Sequence, residues 1–243
     1  MKISGKQIVI TGGTSGIGLE IVKQLYSNNT LIVISKNNRS LDALAEKFDG
    51  IVTYQANLSF LSEAEAVANS IAGRFDSIDI LINNAASQYT PMFLDDGFFY
   101  ESISKEITLN FTSICCLIYL LLPSLIHRSP AVILNINSGL GLVPKTSSAI
   151  YCGTKGALNL FSQSLRYQLE DTNVGVQQAF LPLVDTAMTK GRGKNKLTAT
   201  AAASKIIRGM EQGVAENDIG KVKLLRALLR MSPSLARRIL KNS

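Results

Sequence analysis

Tyr151 and Lys155 lie four positions apart in Tyr151-Cys152-Gly153-Thr154-Lys155, a spacing that puts both side chains on one face of a helix. An ammonium held there stabilises a phenolate and draws the Tyr pKa from its reference of about 10 toward neutral pH, as an acid/base catalyst requires. Alone, such a pair is no different from a solvated helix surface. Position changes that reading. Ser138, in Asn135-Ile136-Asn137-Ser138-Gly139, closes an apolar run thirteen residues before Tyr151. Its hydroxyl can hydrogen-bond a substrate oxygen while Tyr151 gives or takes the proton. A second constellation, Thr11-Gly12-Gly13-Thr14-Ser15-Gly16-Ile17-Gly18, follows a β-branched run and opens a helical pattern. Its glycines let the backbone approach a pyrophosphate, and the helix start offers free N–H groups and a positive dipole end. Gly12, Thr14, Ser15, Gly16, Ile17 and Gly18 are therefore the expected contacts of a dinucleotide.

The elements that must position these residues are read from periodicity. Strand-length apolar runs at 7–11, 31–35, 51–55, 78–83, 131–136 and 174–180 alternate with helical patterns. They lack polar alternation, which predicts strands covered by helices on both faces. The fold class is α/β, a Rossmann-like doubly wound parallel sheet in a single domain. Residues 1–218 form the dinucleotide-binding catalytic unit and 219–243 a basic amphipathic tail. Ile17, Ile21 and Leu25 recur at helical spacing, Ser62-x-x-Glu65 reads as a capping box, and Thr198 suits an N-cap before an Ala-rich helix to Ala215. Helices over 104–122 and 151–170 carry more apolar surface than one sheet face covers, which predicts a homodimer or homotetramer. Residues 190–196, with two glycines and four charges, read as a mobile loop.

Composition narrows the chemistry. With His127 the only histidine, and Cys115, Cys116 and Cys152 in no CxxC spacing, neither a His-rich metal site nor a disulfide framework is expected. The thiols read as buried core residues in a reducing compartment, and the location as cytoplasmic. The start has no apolar signal region, and the greasy stretch 114–126 contains Pro123 and falls short of the ~20 residues of a membrane span. The net charge of +7 comes from the tail, where Lys221, Lys223, Arg226, Arg230, Arg237, Arg238 and Lys241 follow Asp218 with no further acid. The rest of the chain is neutral, and nucleic acid is not among the expected partners.

At this point the chain resembles the short-chain dehydrogenase/reductase family, over roughly residues 5–215. The resemblance rests on Gly12-x-x-x-Gly16-x-Gly18, Asn83-Asn84-Ala85-Ala86, Ser138 and Tyr151-x-x-x-Lys155. It implies hydride chemistry on a ketone or aldehyde with Ser138, Tyr151, Lys155 and Asn110 as catalytic set, Asn110 holding a water in a proton relay to Lys155. It implies cofactor contacts from Asn57, Leu58, Asn84, Ala85, Tyr151 and Lys155. Leu181-Pro182-Leu183-Val184-Asp185-Thr186 stands where the family has Pro-Gly-x-Val-x-Thr, so Pro182, Val184 and Thr186 are implied nicotinamide contacts while Leu183 leaves the backbone path open. Pro-x-Val-Asp-Thr with a basic tail is similar to the bacterial DltE-type subgroup.

The end of the second strand, Ile34-Ser35-Lys36-Asn37-Asn38-Arg39, has no acid to hold a ribose 2′-hydroxyl, and Ser35 and Lys36 suit a 2′-phosphate. NADP(H) is the expected cofactor, with NAD(H) the alternative. The expected function is NADPH-dependent carbonyl reduction of a small molecule; an NAD-linked alcohol dehydrogenase and a non-catalytic nucleotide-binding scaffold are the other readings. Loops 87–99 and 189–196 should line the substrate cleft, with Tyr89, Met92, Phe93 and Phe98 as its apolar wall. In the tail, Leu224, Leu225 and Leu228 share one helical face and Lys223, Arg226 and Arg230 another; Leu235, Ile239 and Leu240 oppose Arg237, Arg238 and Lys241. Such an element either lies on an anionic membrane or packs as a lid over the cleft or a partner subunit.

Overall fold

Runs of Ile, Val and Leu that leave both faces apolar can be buried only between two helix layers, and that is the arrangement found. The computed structural model describes residues 2–241. In chain order the elements are β1 (Gln7–Thr11), α1 (Gly16–Leu25), β2 (Thr30–Ser35), α2 (Asn38–Lys47), β3 (Val52–Gln55), α3 (Leu61–Ala72), β4 (Ile80–Asn83), α4 (Tyr100–Ile107), α5 (Ser113–Leu125), β5 (Ala131–Ser138), α6 (Ala149–Gln168), β6 (Val174–Leu181), β7 (Val184–Asp185), β8 (Leu197–Thr198), α7 (Ala199–Glu211), β9 (Glu216–Asp218), α8 (Lys221–Met231) and α9 (Pro233–Lys241). Seven strands pair in parallel in the order β3-β2-β1-β4-β5-β6-β9, while β7 and β8 make a separate parallel pair. The order reverses between β1 and β4, and ligands of such sheets bind outside the strand ends at that crevice.

Alternate strand residues feed two cores. Ile8 and Ile10 join α1, α2 and α7 on one face, and Val9 joins α3, α5 and α6 on the other. The six expected strands all form, with ends moved by one or two residues. A further edge strand, β9, forms before the tail and stops at Asp218, where Ile219 is taken into the core and the chain turns into α8. Thr198 caps α7 by accepting from the Ala201 amide, though that helix stops at Glu211 rather than Ala215. The expected Ser62/Glu65 capping box is absent. α3 begins after Phe60 with no side-chain cap, so Ser62 is already inside the helix, and Glu63 accepts from the Asn57 amide at 2.7 Å.

Between α4 and α5 the helix widens into a π-turn, Thr108–Thr112, the kind of distortion that recurs at functional sites. The continuous run Tyr100–Leu125 is long and apolar enough to cross a membrane by length and composition. Here its inward residues Ile114, Leu117, Ile118, Leu121 and Leu125 pack against the sheet and α3, which is the role of a core helix. Cys152 is buried as expected, but Cys115 and Cys116 are only partly so, because their positions turn off the packed stripe.

The tail folds back as a helical hairpin. Its faces differ from the expected ones: Arg226 turns inward, bridging Glu216 at 3.0 Å and Asp218 at 2.5 Å, and lies over the Phe180 ring. Val222 and Leu225 approach Gly139, and the Lys241 carbonyl accepts from the Thr146 amide and hydroxyl. Leu224, Met231, Leu235 and Ile239 are instead exposed.

Candidate active site

The carboxyl ends of β1, β4, β5 and β6 set Thr11, Asn83, Ser138 and Leu181 along one edge of the sheet. Buried amides brace that edge. Asn83 donates to Asn135 at 2.8 Å and Asn135 to the Ser162 hydroxyl at 2.9 Å, while Asn137 donates to Gln178 at 2.8 Å and accepts from the Ser138 amide at 2.8 Å. These amide pairs hold the edge without charge, and the buried Asn83 Oδ1 is left without a partner.

A continuous cleft of about 1180 Å³ opens over the edge. It is lined at one end by Gly12, Thr14, Ser15, Gly16 and Ile17, then by Ser35, Lys36, Asn57 and Leu58, and toward the other end by Asn84, Ala85, Ser138, Tyr151, Lys155, Pro182, Val184 and Thr186. For three of the expected site residues the structure shows a packing or hydrogen-bonding part. Gly18 lies beneath the loop, packed against the Gly12 carbonyl, and does not line the cleft. Asn84 lines it, but its side-chain amide donates to the carbonyls of Thr11 at 3.0 Å and Gly12 at 3.1 Å, so it ties the glycine turn to β4. Asn110, within the π-turn and fully buried, accepts from the Ser87 amide at 3.0 Å and donates to the Ser87 carbonyl at 2.9 Å and to Thr154 at 3.3 Å. These bonds fix the segment leaving β4 against α6. The Asn57 oxygen is engaged by the Ser59 amide at 3.1 Å.

The catalytic candidates converge. α6 presents Tyr151 and Lys155 from consecutive turns, with the Lys155 ammonium 5.8 Å from the Tyr151 ring centre and donating to the Ile136 carbonyl at 2.8 Å. Ser138 interacts with the Tyr151 hydroxyl and lowers its pKa, but burial is the larger effect and pushes the phenol up to about 12. The sequence-based expectation of a phenol already drawn toward neutral pH is thus reversed here, because desolvation of the phenolate outweighs its stabilisation. Burial likewise lowers Lys155 to about 8, with Glu106 acting in the opposite direction. Glu106 is a residue that sequence reasoning missed. It is buried in α4, accepts from the Tyr89 amide at 3.2 Å, and has its carboxyl raised to about 7 by desolvation. A polar residue four positions before Asn110 is the only signal that could have found it.

Other missed residues close the cleft. Arg192 donates to Gln88 at 2.8 Å, and Gln88 to Ser148 at 3.2 Å, which joins the two loops expected to flank the substrate. Ser148 holds a left-handed backbone at φ 62° just before α6, strain of the kind that clusters at functional sites. The expected aromatic wall does not form. Phe93 and Phe98 stack on each other at 4.5 Å, and neither they nor Tyr89 and Met92 line the cleft. Leu140, Val222, Leu225 and Leu240 supply that wall, so the tail is the roof. Leu183 packs over Gly193 without a left-handed backbone, and the β7–β8 pair pins the segment that follows it.

The family model described as short chain dehydrogenase matches residues 6–197, most of the chain. This chain is a short-chain dehydrogenase. It is an oxidoreductase, similar to the Bacillus subtilis (strain 168) protein named uncharacterized oxidoreductase DltE, with 32% identity over 93% of this chain and 92% of that one. It is also 34% identical to the Bos taurus very-long-chain 3-oxoacyl-CoA reductase, over 76% of this chain; the match spans 62% of that relative's length. In fold, this short-chain dehydrogenase superposes on one from Burkholderia cenocepacia J2315 in complex with NADP, with a TM-score of 0.89 at 20% identity and full coverage of both chains.

Proposed function

We propose that the protein is an NADPH-dependent carbonyl reductase. The observation that carries this is the cleft itself. Among the described residues it runs unbroken from the glycine turn to Ser138, Tyr151 and Lys155, and no Asp or Glu lines it. The residues present fit a dinucleotide. Gly12 and Gly16, at φ 67° and 51°, turn the backbone without placing a side chain over the cleft. The N-terminus of α1 has no side-chain cap and no acid in its first turn, leaving its amides for an anion. Ser35, bonded to Thr14 at 2.9 Å, and the exposed Lys36 suit a 2′-phosphate.

When bound, the reduced nicotinamide supplies the hydride that forms the new C–H bond. The protein's own residues do the rest. The Ser138 hydroxyl donates to the carbonyl oxygen and fixes its direction. The Tyr151 phenol gives that oxygen its proton as the C=O bond becomes C–OH. The Lys155 ammonium stabilises the phenolate left behind, held in place by the Ile136 carbonyl. Behind this set Asn110, bonded to Ser87 and Thr154, holds the segment after β4 against α6, and reprotonation of the Tyr151 phenolate completes the cycle.

The cofactor half of this reading is tested by Lys36→Asp, which places a negative charge beside the 2′ position. The ratio of kcat/KM values should shift toward NADH by about tenfold, ~1.4 kcal/mol. An unchanged ratio means that the phosphate is read elsewhere.

The tail's outer surface sets Leu224, Met231, Leu235 and Ile239 beside Lys223, Arg230 and Arg238, none of these cations in an ion pair among the described residues. Apolar side chains ringed by unpaired positive charge suit an anionic lipid surface. The full chain should therefore sediment with phosphatidylglycerol vesicles at low salt, less at high salt, and far less once Leu224 and Met231 are both changed to Asp. Salt-independent failure to sediment leaves the tail as a roof alone.

A further inference from the structure

The half of the cleft beyond Ser138 and Tyr151 is both greasy and positive. Leu140, Leu225 and Leu240 form its walls, and Lys145, Arg192 and Lys221 are its charged groups. None of these three cations pairs with a carboxylate among the described residues. The Arg192 guanidinium is held only by neutral acceptors, the Gln88 amide oxygen at 2.8 Å and the Met188 carbonyl. That mooring aims it without neutralising it. Lys145 is partly buried, and its ammonium is pushed below the usual lysine value first by that burial and then by the positive charge of Arg192. Two like charges converging at a half-buried, acid-free wall are costly unless an anion joins them. The nucleotide does not meet this demand, since Ser35, Lys36 and the start of α1 lie at the other end of the cleft.

We propose that the carbonyl substrate of this site is an amphiphilic anion, whose carboxylate or phosphate is bound by Lys145 and Arg192 while its apolar chain lies against Leu140, Leu225 and Leu240. The identity of the reaction rests on the carbonyl-reductase reading above; recognition of the anion rests on the cleft alone. A neutral apolar ketone fills the same walls but leaves both charges unmatched, so it binds less well. The discrimination comes from charge-assisted hydrogen bonds in a partly desolvated site, where Arg offers a fork and Lys a point charge.

The test uses the full chain with saturating NADPH and three substrates sharing one medium-length oxo chain: the carboxylic acid, its methyl ester and a phosphate monoester. The acid or the phosphate should exceed the ester in kcat/KM by about tenfold or more. The better of the two identifies the anion. Lys145→Gln and Arg192→Gln should each bring the anion-to-ester ratio down toward one. Equal values for anion and ester in the wild type, or a ratio that neither variant moves, overturns the proposal. A binding measurement separates it from the reductase reading: decanoate should raise the melting temperature of the NADPH-loaded protein more than decanol, and Arg192→Gln should remove that difference. If no carbonyl compound is reduced but this difference holds, the reductase reading fails and the anion site stands. If decanoate and decanol act alike, the anion site is wrong whatever is reduced.

Discussion

Replacing Tyr151 by Phe should lower kcat for carbonyl reduction by at least about 100-fold, within the range that a lost general acid costs, while changing NADPH affinity by no more than about twofold. The ring is buried beside Lys155 and still fills its place as Phe; only the proton donor, which faces Ser138, disappears. Stopped-flow hydride transfer and fluorescence titration with NADPH measure the two quantities on one sample. A variant keeping most of its turnover removes Tyr151 from the chemistry. The pH profile adds an independent reading. Burial holds the Tyr151 phenol protonated up to about 12, so the donor is present throughout the neutral range. Lys155 loses its proton near 8, and below that value it is charged. Reduction should therefore be level through neutral pH and decline as pH rises through about 8, well before Tyr151 ionises. Lys155→Ala should abolish that decline together with most of the activity.

Gly18→Ala should be strongly damaging, because the added methyl group meets backbone. A β-carbon there would stand 2.2 Å from the Gly12 carbonyl oxygen and 2.5 Å from the Asn84 side-chain nitrogen. The first is backbone and cannot swing away, and the second is the amide that ties the glycine turn to β4. Overpacking of this kind costs about 1–3 kcal/mol, which lowers Tm by about 2–12 °C in a domain of this size, and moving the turn weakens NADPH binding as well. Gly153→Ala is the matched control. It sits on the exposed side of α6 with nothing within 4 Å of its added carbon, so relief of backbone freedom should stabilise the helix by about 0.5–1 kcal/mol. Calorimetry on both variants checks the contrast, and a Gly18→Ala protein that melts and binds cofactor like the wild type refutes the packing argument.

Much of this was legible in the sequence because it is local. A buried parallel strand must be apolar on both faces, so all six major strands could be placed by composition, and the residues from Gly12 to Ile17 and from Ser138 to Lys155 could be set at strand ends and on one helix. What was hidden depends on tertiary contact. Ser62 and Glu65 have the spacing of a cap, but Phe60 and the Asn57 turn decide where α3 begins. Arg226 reads as one more solvated charge until β9 puts Glu216 and Asp218 beneath it. The two leucines at 224 and 225 cannot be told apart by periodicity, since α8 is apolar on more than one side and the cleft alone determines which of them is inward. Phe93 and Phe98 advertise a hydrophobic wall and satisfy each other instead. Asn84 matches the family motif by type, and only the hydrogen bonds reveal that it works on the glycine turn.

The roof and the floor of the cleft come from different parts of the chain. Ser138, Tyr151 and Lys155 sit on a central strand and α6, held by amide pairs and by two packed cores. The roof is the terminal hairpin, moored chiefly by Arg226 at its beginning and by the Lys241 carbonyl on Thr146 at its end. Selection can therefore work on the two separately. Insertions or exchanges in α8 and α9 would reshape the roof, while the residues at the strand ends and on α6 stay as they are. A scaffold so divided diversifies its repertoire cheaply, and it gives the protein engineer a cassette of some twenty residues with which to retarget it.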